Sequence, residues 1–127
     1  MKPVRLGRSL HKTYATTPGD TAAAIGNRGV EVVSSVALIR HIEDACYDLI
    51  ADCYDPGEVT VGTRFVLDHV APARAGQPVE VAAKVAAAEG RRVTFAVTVE
   101  QNGRVVMAGE HQGAFVTAER LITATKR

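Results

Sequence analysis

The sequence predicts an α+β domain in which one long apolar helix lies against an antiparallel sheet. Three observations carry this. Apolar residues recur at a three-four spacing from Ser35 to Tyr54, the period of an amphipathic helix. After Gly57 the period changes to two and stays there through four successive runs. Turn signals punctuate those runs, and Asn102-Gly103 is the strongest short hairpin signal. Consecutive hairpins build an antiparallel sheet, and an apolar helix has to cover one face of it.

Residues 1–31 are weakly patterned. Thr16-Thr17-Pro18-Gly19-Asp20 and Gly26-Asn27-Arg28-Gly29 read as turns. Between them, Thr21 to Ile25 reads as a short helix or part of a lid, and a short strand is expected near Leu10 to Ala15. The long helix carries Val36, Ile39, Ile42, Ala45, Cys46, Leu49, Ile50 and Cys53 on its apolar stripe. Ser34 or Ser35 can cap its start, and Asp55-Pro56-Gly57 stops it. Arg40, His41, Asp44, Asp48 and Asp52 fall on the opposite, solvated side.

In the first run Val59, Val61, Phe65 and Leu67 alternate with Thr60, Gly62 and Arg64, until Pro72, Gly76 and Pro78 break it. Val79, Val81, Ala83 and Val85 form the second run, turned by Glu89-Gly90-Arg91. The third holds Val93, Phe95, Val97 and Val99. The fourth goes from Arg104 to about Thr117, with Gly109 and Gly113 as bulge or bend sites. About five strands wrapped around one central helix is the hotdog shape. The expected organisation is a single domain over 1–127, with an N-terminal strand and lid in 1–31 and the core in 32–118.

Composition narrows the function. With 127 residues, 46% hydrophobic and 23% charged, the chain suits one core without disulfides or a structural metal. A net charge of +1 gives no basic field for nucleic acid. No apolar run reaches the roughly 20 residues that span a bilayer, and the start reads as no secretion signal. Cys46 and Cys53 lie about 10 Å apart along a helix, too far to pair, and two free thiols suit a reducing cytoplasm. Neither has neighbours at metal spacing.

Three side chains stand out as candidates for chemistry. Glu43 falls within about 60° of the centre of the apolar stripe. A carboxylate there sheds hydration, which suits acid/base work, although a boundary Glu can also pair with an Arg. Ser35 shares that sector at the helix start and reads as an N-cap, and a capping hydroxyl beside free helix N–H groups also sits in an anion-friendly place. Ser35 and Glu43 are about 12 Å apart along one straight helix, so they meet only through a substrate, a kink or a second subunit. His69 ends the first run. It reads as a core residue or as a general base suited to neutral pH. By parity it shares a face with Val59, Val61, Phe65 and Leu67, and Gly62 takes the opposite parity. A strand glycine marks a bulge or a backbone that approaches something closely, and its N–H can serve a carbonyl oxygen. His111, between Gly109 and Gly113, reads as structural, and His11 and His41 as exposed. Arg91-Arg92 reads as a solvated turn or a pair of guanidinium groups for a phosphate.

These features resemble one known family. Ile42-Glu43-Asp44-Ala45-Cys46, Gly62-Thr63 followed by His69, Ala88-Glu89-Gly90-Arg91-Arg92-Val93 and Gly109-Glu110-His111 are similar to the fluoroacetyl-CoA thioesterases, a branch of the hotdog thioesterases. The likeness runs from about Val32 to Val116. It implies that Ser35, Glu43 and His69 are catalytic and that the Gly62 backbone faces the acyl group. The family usually shows Thr where this chain has Ser35. Its fluoroacetate-specific member has a Phe-rich lid where this chain reads Ile25-Gly26-Asn27-Arg28-Gly29-Val30, so the resemblance carries the chemistry class and not the substrate.

The implied activity is hydrolysis of an acyl-CoA or acyl-carrier-protein thioester. It needs no cofactor or metal, coenzyme A being part of the substrate, and no nucleic-acid or membrane partner. In that scheme His69 serves as base or nucleophile, Glu43 orients it or activates water, and Ser35 with the Gly62 amide holds the thioester carbonyl. A homodimer joined edge to edge is expected, with sites at the interface. The rival from another class is a catalytically silent acyl-CoA-binding module or ligand sensor on the same fold. A hotdog hydratase and a cystatin-like binder fit the residue pattern less well.

Overall fold

In the computed structural model, which describes residues 1–126, the sheet has five antiparallel strands in the order β1-β3-β4-β5-β2. These are β1 (Ser9–Tyr14), β2 (Glu58–His69), β3 (Val79–Glu89), β4 (Arg92–Gln101) and β5 (Arg104–Thr117). Helix α1 (Ser35–Leu49) covers one face, and a short α2 (Ala118–Ala124) follows β5.

The hairpin signals act as expected at two of the joints. Gly90 and Arg91 turn β3 into β4, and Asn102-Gly103 turns β4 into β5 with φ of 52° and 77°, the left-handed pair that such a turn requires. The break after β2 is different. It carries the chain past β4 and β5 to a strand that never touches β2, so β2 forms one edge and β1 the other. Buried Gln101 fixes this crossing. Its Oε1 accepts from the Arg74 amide at 2.8 Å, and its Nε2 donates to the Arg74 carbonyl at 2.9 Å.

The core lies between α1 and the inward faces of β3, β4 and β5. Leu38, Ile42, Ala45, Cys46 and Leu49 pack against Val79, Val81, Val85, Val93, Phe95 and Val99, all buried. Full burial of one such side chain is worth about 1.5–3 kcal/mol. The buried face is rotated from the stripe read in the sequence. Val36 is 54% exposed and Ile39 only partly covered, because that flank of α1 faces the open β2 edge. The helix also stops earlier than Tyr54. It ends at Leu49, and a 3-10 turn over Ala51–Cys53 completes the segment.

Two features of β2 determine what it presents to α1. The register slips between Gly62 and Arg64, so Thr63 is an extra residue and the inward parity changes there. Thr60 and Gly62 face inward before the slip, and Phe65, Leu67 and His69 after it. Val61 lines a cavity on the other side of the sheet, beneath Leu121 of α2. The second feature is Gly109 in β5, at φ 153°, where an added Cβ would run into the backbone carbonyl of Val66. Replacing Gly109 with Ala should therefore lower unfolding free energy by at least about 2 kcal/mol, read as a shift in the urea midpoint at unchanged slope.

Candidate active site

Strand β2 and helix α1 run antiparallel beside each other. The Gly62 end of the strand therefore meets Glu43, and the His69 end meets Ser35. These contacts divide the sequence-derived residues into two groups along one open edge.

The first group is Ser35 and His69. Ser35 Oγ and His69 Nδ1 are 2.7 Å apart, on side chains that face solvent. Ser35 is available for this because it does not cap the helix. Ser34 does, at extended backbone angles, with its Oγ accepting from the Ala37 amide at 3.0 Å. Ser34 is itself buried and anchored by its own amide to the Asp20 carbonyl at 2.8 Å.

The second group is Glu43, Gly62 and two residues the sequence reading did not assign to the site. The Tyr47 hydroxyl donates to Glu43 Oε2 at 2.9 Å. The same hydroxyl lies 3.2 Å from His111 Nε2. His111 is fully buried, and its ring stacks on Phe65 at 4.3 Å and 15° between planes. A Cβ on Gly62 would sit 3.1 Å from Glu43 Oε2 and 3.3 Å from His111 Cε1. The glycine thus lets the β2 backbone pass close to the carboxylate, and the slip at Thr63 is what brings Phe65, Leu67 and His69 onto the same inner face. The opposite parity expected for Gly62 is corrected by that extra residue.

Glu43 and His69 share no hydrogen bond among the described residues; Ser35 contacts the His69 ring. Tyr47 lies four residues after Glu43 on the same helix face, a spacing that puts two side chains in reach. His111 comes from β5, 64 residues after Tyr47; its motif Gly109-Glu110-His111 carries part of the resemblance, but the residue itself reads as structural in the sequence.

Other candidates are resolved by their contacts. Arg91 donates from Nε to the Phe115 carbonyl at 2.8 Å and pairs with Glu58, so its guanidinium fastens strands together. His41 is not exposed. It is half buried and stacked on Tyr14 at 4.5 Å, and burial lowers its pKa. Cys46 and Cys53 are both buried and unbonded. Burial, with the Glu43 charge adding to it, pushes the Cys46 thiol up to about 12, so it supplies no thiolate near neutral pH. No group of three or more His, Cys, Asp or Glu side chains suited to hold a metal occurs among the described residues.

The surface around both groups is apolar and open. Val36 is 54%, Phe65 39%, Val66 49% and Val70 63% exposed. The cavities of about 850, 560 and 500 Å³ seen in the single chain are lined by none of Ser35, Glu43 and His69.

The chain is similar to known proteins in sequence and in fold. The family model for fluoroacetyl-CoA-specific thioesterase matches residues 16–119. The fluoroacetyl-CoA thioesterase of Streptantibioticus cattleyicolor is 29% identical over 90 residues. That match spans 71% of this chain and 65% of the relative, just under two thirds of its length. The solved fluoroacetyl-CoA thioesterase superposes with a TM-score of 0.93 at 23% identity, covering 98% of this chain and 97% of that one. A thioesterase-superfamily protein of Thermus thermophilus gives 0.90 at 23% identity, covering 100% and 94%.

The two adjacent serines should separate cleanly on substitution. Ser34→Ala should cost about 1 kcal/mol of stability through the lost cap, and Ser35→Ala a few tenths or less, as read by urea denaturation.

Proposed function

The chain belongs to the fluoroacetyl-CoA-specific thioesterase family, and on that footing we propose that it hydrolyses a small or medium acyl-CoA thioester without a cofactor. The observation that supports this most is the pairing of Ser35 with His69 on the same open edge as Glu43 and Gly62. It puts a hydroxyl, an imidazole, a carboxylate and a closely passing backbone along one path.

The reaction breaks the acyl C–S bond and forms an acyl C–O bond from water, giving a carboxylate, the free thiol of coenzyme A and a proton. Glu43 accepts a proton from the attacking water. The Gly62 amide and the Ser35 hydroxyl hold the thioester carbonyl, whose oxygen gains negative charge as water adds. One donor aimed at such an oxygen is worth about 3 kcal/mol. His69, oriented by Ser35, supplies a proton to the departing thiolate. The lid residues Ile25 to Val30 carry no aromatic side chain, which favours a plain acyl group over a fluorinated one.

The test is thiol release from a panel of short, branched, aromatic and long acyl-CoAs. His69→Ala and Glu43→Gln should each lower kcat about 10²–10⁴-fold on the preferred substrate. Wild-type turnover in both variants would overturn the reading. Binding of acyl-CoA with no release from any member of the panel would return the silent binding module.

The site is also read as completed by a second copy of the chain. Strand β2 is an unpaired edge, flanked by exposed Val36, Phe65, Val66 and Val70, and pairing it with its symmetry mate would cover that surface and close both groups from solvent. The protein should therefore run as a homodimer in light scattering after gel filtration. Val66→Lys should shift it toward monomer and lower activity in parallel. A wild-type monomer with full turnover would refute this. The reducing cytoplasm remains the proposed location, on the two unpaired thiols.

A further inference from the structure

The chain of contacts from β2 to Glu43 holds a definite number of protons. The Arg64 carbonyl only accepts, and His111 Nδ1 lies 3.2 Å from it, so Nδ1 carries hydrogen. Beyond the ring, two links share the Tyr47 hydroxyl: His111 Nε2 at 3.2 Å and Glu43 Oε2 at 2.9 Å. Two links need two protons, and the phenol owns one. The other sits on Nε2, giving imidazolium and carboxylate, or on Glu43, giving neutral imidazole and carboxylic acid. The two arrangements have the same total charge and the same atoms. They interconvert when each proton moves one step along the chain.

We propose that Tyr47 is a positioning residue that couples His111 to Glu43 as a proton relay, so that the carboxylate gains or gives up a proton at Oε2 while Oε1 serves water or substrate. This rests on the reading of Glu43 as the working carboxylate. The phenol suits a relay. Burial first, and then its bond to Glu43, raise its pKa, so it passes a proton without losing one. The surroundings of His111 favour the neutral ring on balance, and the imidazolium is opposed only in part. Burial disfavours the imidazolium, whereas the Arg64 carbonyl and the Glu43 charge favour it. Glu43 and Tyr47 of α1 are the titratable groups in contact with the ring or linked to it. β2 contributes the Phe65 ring and the Arg64 carbonyl, and β4 the Phe95 ring, 5.9 Å away between centroids.

Tyr47→Phe keeps the ring and removes the one oxygen on which both links depend. In thiol-release assays its kcat should fall about tenfold to a hundredfold, with little change in KM and a displaced limb in the kcat–pH profile. In a Glu43→Gln background the same change should have no further effect. A readout independent of turnover is the imidazole ¹⁵N spectrum of His111. It should report hydrogen on Nδ1 throughout, with a titration midpoint that moves in Tyr47→Phe. An unmoved midpoint together with a wild-type pH profile overturns the relay. Full activity in Glu43→Gln overturns the catalytic reading of Glu43 instead, and a midpoint that still moves in Tyr47→Phe then supports the relay as a coupling of His111 to the carboxylate.

Discussion

A single helix can cover only one face of a five-stranded sheet, and here it covers that face incompletely. Helix α1 lies mainly against β3 and β1, which leaves its Val36–Ile39–Glu43–Tyr47 flank beside β2, an edge strand with no neighbour beyond it. That incompleteness is the constraint from which the site follows. Polar side chains on this flank lie next to the core yet open on the other side, where a ligand could reach them.

Much of the fold was legible because its signals are local. The helix period, the strand alternation and the Asn102-Gly103 turn each occupy a few adjacent residues, and the structure places the elements there. The crossing after β2 was not legible. Proline and glycine mark a break equally well whether the next strand pairs alongside or travels to the far edge. The slip at Thr63 was equally hidden, since Gly-Thr-Arg reads as ordinary alternation until β5 fixes the register opposite it. One unseen residue was enough to assign Gly62 to the wrong face.

The site was legible in part for the same reason. Ser35, Glu43 and His69 stand out as polar groups where the pattern asks for apolar ones. Their grouping does not, because hydrogen bonds such as Ser35 to His69 join residues 34 apart in sequence. Tyr47 had a usable signal in its helical spacing from Glu43. His111 had only its place in the Gly109-Glu110-His111 motif, since a buried histidine with satisfied nitrogens looks the same in sequence whether it holds a strand or holds a proton.

The tandem Ser34-Ser35 divides two duties between neighbours that one residue could not perform together. A capping hydroxyl is committed to the helix amide, and its side chain points back along the chain. With that duty assigned to Ser34, position 35 is released from any role in folding. Its hydroxyl can gain or lose a methyl and the helix start, capped by Ser34, is unaffected. Such a position is where acyl preference can drift between descendants of one ancestor at almost no risk to the scaffold. Position 34 is correspondingly where drift is most costly.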